Sequence, residues 1–313
     1  KKYFREILKK VLMAKLIILI FIVIFPKLIL GQKDSTFLYI DSLQNEKCIN
    51  YLNKKIKKNN YNKGDMLSKQ IDIYNLACAY SLNNDPKKCF ETLNTLLKNK
   101  MDPSAFEKDP DFYNVSHTKE WNAYLLNYKK QHNLNFIDTI YTNLSQIAIN
   151  DQAYYRHIKF YEKRYGQKSS KALALWKIKD SLNKTNLKLV IHYIDNGYNV
   201  LSDSVVGKFS KSCFMVIQHA DMITMEKFLP IIKKLYDKKQ TSGGNYALLY
   251  DRVYLHKNKG MQYYGSQINT ETNQPYLIKD EKNVDKRRAE LGMESMKEYL
   301  QRFNVIYNSK RRK

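Results

Sequence analysis

Apolar residues in this chain recur at helical spacing over most of its length, which constrains the fold more than any other feature. Phe37, Ile40, Leu43, Ile49 and Leu52 fall close to a period of about 3.6 residues. The same rhythm predicts helices over 37–58, 66–82, 86–98, 118–130 and 136–165, then 170–182, 186–195, 211–220, 225–238 and 246–257. Punctuation supports these bounds. Asp85 stands as an N-cap with Pro86 at the first helical position, Gly166 closes the long segment, and Asn196-Gly197 closes another. Two short extended pieces, 261–267 and 276–278, flank a polar turn at 269–274, and two helices, 283–291 and 295–303, finish the chain. The expected class is all-α with one small β-hairpin.

The first 31 residues follow a different logic. A basic segment to Lys15 precedes an almost wholly aliphatic run from Leu16 to Phe25, then Pro26, then a small residue, Gly31, before Gln32. That order is expected of a cleavable signal peptide over 1–31, and Met13 to Gly31 alone has the required form. The apolar run is short for a bilayer span of about 20 residues, so no retained membrane span is expected. A periplasmic or secreted location follows, with a membrane anchor as the consequence if the segment is not removed.

The formal charge is +24. Such a balance can mark polyanion binding, but the lysines are scattered along helix faces and form no dense stripe, so a nucleic-acid partner is not expected. Arginine is used more selectively: none lies between Glu6 and Tyr155. Arg156, Arg252, Arg287 and Arg288 are therefore candidates for the bidentate contacts that lysine cannot replace. Cys48, Cys78, Cys89 and Cys213 lack metal-ligand spacing and read as buried thiols. No phosphate-binding loop, dinucleotide fingerprint, zinc-protease helix or serine elbow occurs, so neither a cofactor nor a metal is expected.

The run Asn75-Leu76-Ala77-Cys78-Ala79-Tyr80, followed by Asn83-Asn84-Asp85 and Cys89, resembles one tetratricopeptide repeat unit. Ala77 and Cys89 would sit where two antiparallel helices approach closely, and Asn84 takes the place of the usual turn glycine. One unit implies a short module, placed at 32–133, which is expected to offer a surface to a protein partner around Tyr74, Tyr80 and Phe90. Polar residues 131–135 read as a linker, and a second helical domain is expected over 134–313.

Five short runs in this second part occur in a telling order. They are Asp151-Gln152, Gln218-His219-Ala220-Asp221, Tyr250-Asp251-Arg252-Val253, Tyr264-Gly265-Ser266-Gln267 and Val284-Asp285-Lys286-Arg287-Arg288. Over about 136–305 they resemble an uncharacterised bacterial family, domain of unknown function 6624. Gly243-Gly244 and Tyr250 depart from its usual composition. The resemblance implies a fold and a residue set, with no activity to carry over.

Two accounts of that set compete. In one it is a buried polar lattice, with Asp221 or Asp251 meeting Arg287 or Arg288 and Gln267 satisfying loop backbone. In the other, His219 is a general acid or base, since imidazole titrates near neutrality. Asp221 or Asp251 would then orient it as the remaining catalytic candidates. Arg252 and Arg288 would hold an anionic substrate group, and Tyr264 and Gln267 would line the entrance. Gln152, Arg156, Gln218, Asp285 and Arg287 complete the substrate-binding candidates. Helical spacing puts Gln152 and Arg156 on one face and lets Asp285 pair with Arg288. The leading expectation is a binding or scaffolding protein of the cell envelope. The alternative is a hydrolase- or lyase-like enzyme acting on an anionic substrate.

Overall fold

A computed structural model describes residues 35–58, 61, 66–98, 106–269, 272 and 274–305. The expected signal peptide and the basic tail at 310–313 lie outside these residues. The fold is all-α with a few very short strands, and it divides into two compact units between Pro103 and Ser104. The division falls earlier than the linker expected at 131–135. Residues 133–137 are only a short connection between helices α5 (Lys119–Gln131) and α6 (Asp138–Gln152), which pack on each other within the second unit.

The first unit contains α1 (Ser35–Asp41), α2 (Asn45–Lys58), α3 (Met66–Leu82) and α4 (Pro86–Lys98). The helix expected over 37–58 is split, because Leu43 adopts φ 58°. Asn84 is left-handed at φ 55°, and the Asp85 carboxylate caps α4 by accepting from Lys88 N at 3.1 Å. Ala77 and Cys89 are both fully buried where α3 meets α4. Asp72, buried in α3, is held by Lys55 Nζ at 3.0 Å and the Tyr61 hydroxyl at 2.6 Å. Tyr80 is buried and Tyr74 and Phe90 are half-buried, so the three do not make an exposed aromatic patch.

In the second unit, α6 runs through the centre. Phe106, Trp121, Tyr124 and Tyr128 form an edge-to-face nucleus beside it, with Phe106 4.8 Å from the Tyr128 centroid. Its buried polar residues are matched. Ser145 donates to Glu107 O at 2.6 Å, and the sealed Glu107 carboxylate takes the Tyr141 hydroxyl and Lys208. The long helix expected over 136–165 breaks, and α7 (Tyr155–Tyr165) starts anew after Tyr154 at φ 68°. The reverse happens next. The helices expected over 170–182 and 186–195 are one, α8 (Ser170–Asp195). Buried Asn186 explains the continuity: it donates to Ile147 O at 3.0 Å and accepts from Asn150 at 3.3 Å, so its polarity is spent against α6.

Short α9 (Asp203–Val206) leads to α10 (Ser210–Gln218), α11 (Met222–Asp237) and α12 (Gly243–Lys257). Gly243 is required by contact: a Cβ there would lie 2.0 Å from Leu291 O. The strands are β1 (Met261–Gln262), β2 (Ile268–Asn269), β3 (Gln274–Pro275) and β4 (Leu277–Ile278). β2 and β3 form the antiparallel hairpin, with Ile268 opposite Pro275, while β1 pairs in parallel with β4. Helices α13 (Val284–Glu290) and α14 (Met296–Gln301) close the unit over a small core of Ile278, Val284, Met296, Leu300 and Val305. Among the described residues no helix is long and apolar enough to cross a membrane.

Candidate functional site

The break in α6 builds the site. A helix leaves its last carbonyls without intrahelical donors. Here the ammonium of Lys179, on α8, donates to Asn150 O at 2.9 Å and to Asp151 O. A cation at a helix C-terminus also suits the dipole. Lys179 is fully buried, and its Nζ lies 4.7 Å from the Tyr155 ring centroid at the start of α7. Burial pushes its proton affinity down to about 8, against the opposing attraction of Asp151.

Asp151 is 1% exposed and faces α10. Its Oδ1 meets Nδ1 of His219 at 3.0 Å, and its Oδ2 accepts from Gln152 Nε2 at 2.6 Å. His219 is the C-cap of α10, and its backbone N–H closes on Met215 O at 2.9 Å. Its side chain retains 21% exposure. A carboxylate accepts only from a protonated nitrogen, so Nδ1 carries the hydrogen in this contact, and among the described residues no hydrogen bond takes Nε2.

Arg252 reaches the same place from α12. Its Nη1 donates to Gln218 O at 2.6 Å, beside His219, while Nε and Nη2 share Gln267 Oε1 at 3.4 Å. These acceptors are neutral, so among the described residues no carboxylate pairs with the guanidinium, and burial weakens its hold on the proton. Tyr155 is near enough to both groups to feel them. Burial and then Asp151 raise its phenol, and Arg252 opposes them.

Neither carboxylate expected to orient His219 does so. Asp221 is the exposed N-cap of α11, accepting from Thr224 N at 2.8 Å, a contact that lowers its pKa. Asp251 is fully buried and anchors a loop: Tyr263 N and Tyr264 N donate to Oδ1 at 2.7 and 2.8 Å, and Ser266 N to Oδ2 at 2.8 Å. Burial raises its pKa, and these three donors oppose the rise. Arg287 donates to Tyr263 O, Lys279 O and Asp280 O. Arg288 donates to Glu294 O at 2.7 Å and Tyr264 O at 2.8 Å, and its guanidinium lies over the Tyr299 ring. Asp285 does not pair with Arg288; it accepts from Met296 N at 2.7 Å. Arg156 pairs with Asp111, and the helix break removes the face it was expected to share with Gln152. Gln218 is buried, donating to Leu248 O at 3.2 Å, and Gln267 donates to the same carbonyl at 3.0 Å. Tyr264 packs 5.3 Å from the Tyr250 ring in a tyrosine cluster.

Spacing alone missed Asp151, Tyr155 and Lys179. For Lys179 a signal existed: the buried positions of α8 are Ala172, Lys179, Asn186 and Val190, one stripe of a helix. The Asp151-Gln152 run also stood among the recurring strings.

The model of a family of unknown function, DUF6624, matches residues 142–312. The chain belongs to this family. The DUF6624 segment begins inside α6, so it takes in Asp151, Lys179, His219 and Arg252 together and leaves the first unit outside. No curated protein and no solved structure matches the chain.

Proposed function

We propose that the second unit is an acid–base enzyme, hydrolase- or lyase-like, acting on an anionic substrate. The observation that carries this reading is the buried Asp151 carboxylate holding Nδ1 of a His219 whose side chain stays partly exposed. In hydrolysis, Nε2 would take a proton from water as its oxygen adds to a carbonyl or phosphoryl centre, and return it to the leaving group. In elimination it would take the proton from the carbon beside a carboxylate, the C–H electron pair would become the new double bond, and the β-substituent would leave with its bonding pair and take the proton back from the imidazolium. Arg252, paired with no acid among the described residues, would draw the substrate's anionic group. Asp151 would stabilise the imidazolium formed in either case.

The test incubates the purified chain with a panel of carboxylate and phosphate esters, amides and β-substituted acids, followed by proton NMR. Turnover of one class, reduced roughly 100-fold or more by His219→Asn, supports the enzyme. Saturable binding that needs Arg252, with no turnover anywhere in the panel, overturns it. That result favours the second reading, an envelope binding protein that uses Arg252 to hold an anion. The envelope location rests on the 1–31 pattern and is tested separately: the exported chain should begin at Gln32, by intact mass.

A further inference from the structure

We infer that Lys179 is a positioning residue: its buried ammonium pins the broken end of α6 and, through Asp151, sets how readily His219 takes a proton. The inference rests on the acid–base reading of His219 for its purpose. Its test reads titration rather than turnover, so the two can fail separately.

A buried lysine at a polar break has cheaper alternatives. Two carbonyls at a helix C-terminus could be met by a hydroxyl, an amide or water. A sealed ammonium is costly unless its charge is used. Here the charge lies against the backbone of the residue that orients His219, with Asn150 O and Asp151 O as its acceptors and no carboxylate in direct contact. The π-face of Tyr155 covers it on another side.

The charged and titratable groups around His219 can be taken element by element. Asp151 comes from α6, Tyr155 from α7, Lys179 from α8 and Arg252 from α12, while Asp221 caps α11 two residues on. Asp151 favours the imidazolium. Lys179 and Arg252 disfavour it. Arg252 cannot lose its charge in the physiological range, whereas an amine can. Lys179 is therefore the member of the set whose charge the fold can adjust.

The experiment follows the His219 ring signals by NMR against pH in the full chain and in Lys179→Gln, which keeps an amide donor for the carbonyls but removes the charge. The midpoint should rise by roughly one pH unit, the size expected for the loss of one nearby charge. The converse measurement is the Lys179 amine titration in Asp151→Asn, a near-isosteric change, where loss of the anion should lower the amine midpoint. It also serves if Lys179→Gln does not fold. A His219 midpoint unchanged in folded Lys179→Gln, or an amine midpoint unchanged in Asp151→Asn, overturns the inference.

Discussion

Two polar clusters in the second unit use the same residue types and end differently. Around Asp251, Arg287 and Arg288, almost every charged atom is spent on backbone of the loop 263–266 and its neighbours. Gln262 completes this stitching, accepting from Gln267 N and donating to Gln267 O and Tyr276 O. Around Asp151, His219 and Arg252, the contacts among the described residues leave one nitrogen of a partly exposed ring unengaged and a guanidinium without a paired acid. An Asp or Arg in a short motif therefore says little by itself. What matters is whether its hydrogen-bonding capacity is used up by main chain. The first cluster holds a loop in shape, and the second has capacity left for a ligand.

The sharpest way to break this contrast is at Asp251. In Asp251→Asn one amide face would point donors at the N–H of Ser266 or Tyr263, leaving buried donors unpaired. A loss of about 3 kcal/mol is expected, which lowers Tm by several degrees in a unit of this size. Next is Arg288→Met. It orphans Tyr264 O and Glu294 O but also removes Nη2, a buried donor with no partner among the described residues. The offset should hold the loss to about 2 kcal/mol. Denaturant titration checks both. If either variant is as stable as the parent, the first cluster is not a structural staple.

How much of this was legible in the sequence follows from the same physics. Helical periodicity and caps located most elements, since apolar stripes and Asp85-Pro86 act locally. The break at Tyr154 was hidden because no glycine or proline marks it; a tertiary contact, Lys179 on the α6 carbonyls, meets the freed groups. Helix α8 runs through the gap expected at 183–185, and the partners of Asn186 on α6 show why this stretch stays helical and inside. His219 drew attention to Asp221 by proximity, yet its carboxylate comes from Asp151, 68 positions earlier. Local spacing can place a cap, but it cannot place a partner from another helix.

A smaller effect should separate Lys179 from both clusters. Its folded proton affinity, about 8, lies below the ordinary value of 10.5, so the unfolded chain binds more protons between the two. Stability should therefore rise with pH across this window, by about 1–2 kcal/mol from pH 8 to roughly pH 9.5. Above that, unfolded tyrosines ionise while buried ones such as Tyr141 resist, and the trend reverses. Lys179→Met should lack the rising limb. A parent chain with a flat profile from pH 8 to 9.5 would mean that the folded amine keeps its ordinary proton affinity and that burial does not depress it.

The smallest stability change is expected at the residue with the largest chemical one. His219→Asn removes one hydrogen bond at a half-open rim, and asparagine is well tolerated at the end of a helix, so the fold should lose no more than about 1 kcal/mol. The Asp151 carboxylate would keep Gln152 as a donor and lie near the charge of Lys179, which limits the cost of losing the imidazole. Proton transfer, by contrast, has no substitute at Nε2, because an amide does not titrate near neutrality. The variant should thus melt within a few degrees of the parent while losing turnover, the mirror image of Asp251→Asn. A His219→Asn protein as badly destabilised as Asp251→Asn would place His219 in the structural lattice and erase the distinction between the two clusters.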